Sequence, residues 1–161
     1  MDEADWEQRL AQLWASLDDQ PADAFLAAMD RLAGERPADD PVALFEQGSA
    51  LDSTGHPAPA VERYRRALAR GLAGQRRRRA TIQMASSLRN LGRAEESVAL
   101  LTAELGAGPD DLDDAVRAFL ALALASVGRE REAVGVALGA LAPHLTRYQR
   151  SLAAYAAKLR E

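Results

Sequence analysis

Few side chains of this 161-residue chain are spaced for covalent or metal chemistry. Its two histidines, His56 and His144, each stand beside a proline and lie far apart. Neither belongs to the H-x-x-x-H or H-E-x-x-H spacing that sets two imidazoles on one helix face around zinc. Ser86 and Ser87 have no neighbouring histidine, so a nucleophilic triad would need a distant turn and a carboxylate brought to them. The pairs Asp39-Asp40 and Asp110-Asp111 lack the alternating ligands and glycine of a calcium loop, and read better as helix caps. The run Gly106-Ala-Gly-Pro109 leaves a helix rather than a strand, which makes it a turn and not a phosphate loop. With no cysteine, disulfides and thiolate metal sites are excluded. The residues therefore predict no enzyme, no metal and no cofactor.

Charge offers more. Arg76-Arg-Arg-Arg79 is the densest local run, with Arg63, Arg65, Arg66 and Arg70 upstream. Four consecutive helical residues fan round about 300° at about 100° each, so the run is not one face. Residues 1–50 carry 12 acids and 3 bases, residues 51–105 carry 5 and 10, and residues 106–161 carry 7 of each, which restores the net −4. An acidic lead and a basic middle allow three readings: a solvated surface, a site for an acidic protein partner, or pairing with the acidic segment of another copy. The net acidity and an aromatic share of 5% weigh against nucleic acid, which is not expected as a partner.

These residues must be positioned by helices. The chain is rich in alanine and poor in β-branched and aromatic residues, a mix that favours helix over strand. Its start, Met1-Asp-Glu-Ala-Asp-Trp-Glu, is acidic and has no apolar run, so it is not read as a signal peptide; no stretch approaches the roughly 20 apolar residues of a membrane helix. A cytoplasmic protein with no membrane partner is the expectation. Trp6, Leu10, Leu13 and Leu17 make one apolar stripe, and Phe25, Leu26, Met29 and Leu32 a second, up to Gly34. Thr146-Arg-Tyr-Gln149 has the pattern of a capping box, with Leu152, Tyr155 and Leu159 following at helical spacing.

Between these lies a repeat. Gly55, Gly92 and Gly128 recur at intervals of 37 and 36 residues, each with a leucine four residues before it, Leu51, Leu88 and Leu124. A fixed period of this size marks stacked helix pairs. Glycine closes each first helix in a left-handed conformation. The expected architecture is one all-α domain over 1–161, an α-solenoid of antiparallel helix pairs. It comprises a divergent hairpin at 1–36, repeats at 41–74, 75–109 and 110–143, and a capping helix at 146–161.

The first repeat resembles the tetratricopeptide repeat, as found in small bacterial proteins. Gly48, Gly55, Ala60, Tyr64 and Ala67 match that family's small and aromatic positions in order. The second repeat keeps Ala85, Leu88, Gly92 and Pro109 but has Ser97 and Glu104 for alanine. The third keeps Ala121, Leu124, Gly128, Ala133 and Ala140 but has Ala137 for the aromatic. The periods exceed the family's usual 34, which implies longer helices or turns.

The resemblance implies a non-catalytic scaffold or adaptor that binds a protein or peptide through the concave face of the stack. Its groove residues would be Phe45 and Ser49 in the first repeat, Arg79, Gln83, Ser86, Arg89 and Asn90 in the second, and Phe119 and Leu122 in the third. The family's carboxylate clamp is missing, because its places hold Phe45, Ser49, Gln83, Ala115 and Phe119. The alternative is a self-associating module, a homodimer joined through Trp6, Trp14 or Tyr155, with the groove filled by the chain's own C-terminal helix.

Overall fold

The computed structural model describes residues 2–107 and 110–161, and their regular elements are helical. The α-helices are α1 (Glu3–Ala15), α2 (Ala22–Ala33), α3 (Pro41–Ser53), α4 (Pro57–Ala69), α5 (Gly74–Asn90), α6 (Ala94–Leu105), α7 (Asp113–Ser126), α8 (Glu130–Leu141) and α9 (Gln149–Lys158). Short 3-10 turns sit at Leu17–Asp19 and Ala142–His144. The all-α fold class expected from the repeat is the one observed. The chain divides into two compact units, Met1–Ala80 and Thr81–Glu161, with the boundary inside α5.

The leucine–glycine repeat has a direct physical meaning. Gly55, Gly92 and Gly128 hold φ of 83°, 78° and 76°, where a β-carbon is strongly disfavoured. The residue after each glycine turns its N–H back to the leucine: His56 N to Leu51 O at 2.8 Å, Arg93 N to Leu88 O at 2.9 Å, Arg129 N to Leu124 O at 2.9 Å. The glycine N–H itself reaches Asp52, Arg89 and Ala125 carbonyls. This paired pattern satisfies carbonyls that a helix end leaves open. The period is therefore a repeated helix stop. The residues beyond a period of 34 go into α5, which has 17 residues against 13 in α3, and into the connection from Gly106 to Leu112. Of the turn expected at Gly106–Pro109, Gly108 and Pro109 lie outside the described residues.

In the first unit α1 packs on α2, α2 on α3 and α3 on α4. Asp40 caps α3 by accepting from Ala43 N at 2.8 Å, and Pro41 takes the first helical position, where its missing N–H costs nothing. Trp6, Leu10, Phe25, Met29, Leu32 and Ala50 form one core. Trp6 is fully buried and its indole N–H donates to Leu32 O at 3.0 Å. The Arg36 guanidinium covers the Trp6 ring at 4.0 Å and pairs with Glu3 and Asp40. Trp6 thus has no surface with which to join another copy, and Trp14 is engaged with Phe25 at 5.3 Å.

The charge segregation is largely consumed inside the same unit. Arg76 donates to Glu7 at 2.7 Å and to Glu46 at 2.9 Å, and Glu46 also accepts from the Trp14 indole at 2.9 Å. Arg66 and Arg70 both pair with Asp39. The basic middle and the acidic lead are partners within one chain at these positions.

In the second unit α6 packs on α7, α7 on α8 and α8 on α9. Ile82 and Ala85 of α5 share a core with Leu101, Val116, Leu120, Ala123, Leu124 and Val136. The capping box is not formed. The residue preceding α9 is Tyr148, at φ 67°, and its side chain makes no cap hydrogen bond. Gln149 reaches back to the carbonyls of Pro143 and Leu145, at 3.0 and 2.7 Å, rather than to a backbone N–H. The 3-10 turn at Ala142–His144 and Leu145, the residue after it, supply those acceptors, and the helix starts at Gln149.

Candidate functional site

The expected groove residues fall in both units, and their surroundings differ. In the first, Phe45 and Ser49 are buried. The absence of a side chain at Gly48 admits Tyr64 against α3, and the Tyr64 ring lies 6.1 Å from that of Phe45. Burial raises the Tyr64 phenol above its ordinary pKa. Phe45 and Ser49 are therefore interior residues of the first unit. Arg79 is exposed and stands 5.2 Å from the Phe45 ring centre, a cation over an aromatic face.

In the second unit the expected residues remain accessible to different degrees. Gln83, Ser86 and Arg89 of α5 are half-buried and Asn90 is exposed. The Arg89 Nε is buried without a hydrogen-bond partner. Gln83, Ser86 and Asn90 follow at i, i+3 and i+7 and so share one helical face. On α7, Phe119 packs partly against the core that contains Ile82 and Ala85. Three residues on, Leu122 is 49% exposed although Leu120, Ala121, Ala123 and Leu124 around it are buried. Polar side chains of α5 and apolar ones of α7 are thus both anchored on one core with their outer faces open.

A second concavity escaped the sequence reasoning. A cleft of about 460 Å³ opens among α6, α7 and α8, with Leu105, Leu120 and Val136 in its wall and Arg117, Glu132 and Arg160 among its polar residues. Gly139 borders it, and a β-carbon there would meet nothing within 4 Å. A helix-interior glycine with no packing duty was the available signal. Arg117 is held by Asp113 and Asp114, and Asp114 also pairs with His144 at 2.8 Å. The His144 and Arg117 contacts hold the Asp114 carboxyl below its ordinary pKa. His144, which stands beside Pro143, is exposed but ties the 3-10 turn after α8 to the start of α7.

Residues 41–159 match the family model for the tetratrico peptide repeat, which covers α3 through α9. The chain belongs to the tetratricopeptide repeat family. Among solved structures it is similar to the MamA RS-1 ArsTM double mutant, with a TM-score of 0.66 and 18% identity over 96% of this chain and 93% of that one. It is also similar to YrrB, described as a TPR protein with an unusual peptide-binding site, with a TM-score of 0.56 and 15% identity over 93% and 82% of the two chains. At such identities the likeness establishes the fold. Among curated protein sequences none matches the chain. No described helix of this tetratricopeptide repeat protein is long and apolar enough to cross a membrane.

Proposed function

We propose that this tetratricopeptide repeat protein is a non-catalytic cytoplasmic scaffold that binds a peptide or a protein segment along the open faces of α5 and α7. Leu122 carries the reading: a large apolar side chain left half in solvent on a helix that otherwise buries its leucines. An apolar anchor beside hydrogen-bonding side chains suits a helix or an extended peptide, whose side chain fills the apolar spot while polar groups hold its backbone. Gln83, Ser86, Arg89 and Asn90 supply those groups on α5, and Phe119 extends the apolar part on α7. The seat of α9 on α8 supports an open α7 face over one filled by the chain's own last helix. The family's general role in protein binding supports the class of partner, and YrrB's peptide-binding site supports a peptide in particular.

The test is selection of binders from a displayed peptide library by the purified chain, followed by titration of the selected peptides. Leu122→Glu, and separately Arg89→Glu with Asn90→Ala, are expected to weaken binding at least tenfold with helicity unchanged. Selected peptides that bind both variants as tightly as the parent overturn this assignment.

A further inference from the structure

Two surfaces of the chain carry charge that is not consumed internally, and their signs are opposite. Residues 10–30 hold Asp18, Asp19, Asp23 and Asp30 and no base. Among the described residues Asp18, Asp19 and Asp23 have no ion-pair partner, and all three are exposed, on the 3-10 turn after α1 and the first turn of α2. Residues 133–160 hold Arg147, Arg150, Lys158 and Arg160 and no acid. On α9 and at its C-terminal cap the inner residues Leu152, Ala156 and Leu159 are at least partly buried. Arg150, Ala154 and Lys158 form an outer row at i, i+4 and i+8, with Ser151 and Tyr155 in the row beside it.

This α9 surface also has the make-up of a contact site. Tyr148 is 77% exposed and Tyr155 64% exposed, the two most exposed large hydrophobic residues among the described residues. Tyr148 is the one described non-glycine residue at positive φ, a conformation bulky side chains avoid. Arg147, Tyr148, Gln149, Arg150, Ser151 and Ala154 line a shallow hollow of about 500 Å³ beside it. Tyrosine and arginine are the side chains that most often anchor protein interfaces.

We propose that the outer surface of α9 docks on the acidic 3-10 turn and the start of α2 of a second copy. The contact is heterologous: different surfaces of the two molecules meet, so the pair keeps one acidic surface on one copy and one basic surface on the other for further copies. Charge complementarity selects the occupant, because the same sequence supplies an unpaired acidic surface of opposite sign. This inference stands apart from the peptide-binding reading and uses none of its residues.

Sedimentation velocity on the full chain tests it. The parent is expected to self-associate with rising concentration in low salt and to dissociate in high salt, where exposed charges are screened. Arg147→Glu with Arg150→Glu, and separately Asp18→Lys, Asp19→Lys and Asp23→Lys together, are each expected to be monomeric with unchanged helicity by circular dichroism. Mixing the two variants is expected to return association, because the unaltered α9 of the lysine variant meets the unaltered acidic turn of the glutamate variant, and the two reversed surfaces also match. Tyr155→Ala, which leaves every charge in place, is expected to weaken association at least fivefold. Leu122→Glu is expected to leave it unchanged. A parent that stays monomeric at all concentrations in low salt overturns the proposal, as does association that survives both charge reversals.

Discussion

Gly48 and Tyr64 stand so close that a β-carbon on the glycine would lie 2.9 Å from Cε1 of the ring and 3.1 Å from Cβ of Arg63. Alanine is the better helix former by about 1 kcal/mol, so propensity alone favours Gly48→Ala. Overpacking a fixed interior costs about 1–3 kcal/mol, and Tyr64 is fully buried with no free direction to move. Packing should win, and Gly48→Ala is expected to lower stability by about 1 kcal/mol in urea denaturation. Unchanged or higher stability would show that α3 and α4 do not approach at this point.

The two glycines of α8 should respond in opposite senses. A β-carbon on Gly135 would meet Ala156 O at 2.8 Å and Leu159 Cβ at 3.0 Å, so α9 itself would have to shift. One on Gly139 would meet nothing within 4 Å. Gly139→Ala is expected to stabilise by about 0.5–1 kcal/mol, the ordinary gain in a helix interior. Gly135→Ala is expected to destabilise and to loosen α9, read as faster amide hydrogen exchange between Leu152 and Lys158. Equal effects from the two substitutions would deny that α9 is seated on Gly135.

How much of this was legible depends on what kind of contact each residue makes. The helix stops at Gly55, Gly92 and Gly128 were readable, because a left-handed φ leaves its mark on residue type at that position. The fold followed from their spacing. The start of α9 was not readable: Thr146 and Gln149 satisfy the capping pattern, but Gln149 prefers carbonyls that a preceding 3-10 turn happens to present. The burial of Phe45 was unreadable for a similar reason. Its helical position suited a groove, while its burial depends on Tyr64 and Arg79, which are 19 and 34 residues away in sequence. Leu122 faces out, since its neighbours already complete the core stripe of α7.

Ser97 occupies the small position that alanine fills at Ala60 and Ala133, and all three are buried. The serine hydroxyl has no hydrogen-bond partner. A buried unpaired polar group costs about 1–3 kcal/mol, and alanine leaves the backbone and the close approach unchanged. Ser97→Ala is expected to raise stability by about 1 kcal/mol, measured as a higher urea midpoint at constant slope. A loss of stability would mean that the hydroxyl has a partner in solution.

Asp114 makes part of the stability of the second unit dependent on pH. Its carboxyl is held below the ordinary value, first by the hydrogen bond with His144 and then by Arg117. A carboxyl whose pKa is lower folded than unfolded binds its proton more readily in the unfolded chain. Its contribution is therefore complete above the ordinary carboxylate pKa of about 4 and is lost as pH falls through the depressed folded value. Asp114 is about half exposed, so the effect is modest and screened by salt. Asp114→Asn is expected to lower the urea midpoint at neutral pH, with the gap to the parent closing as pH falls below about 4. A gap of constant size across that range would show that the pairing with His144 and Arg117 does not perturb this carboxyl.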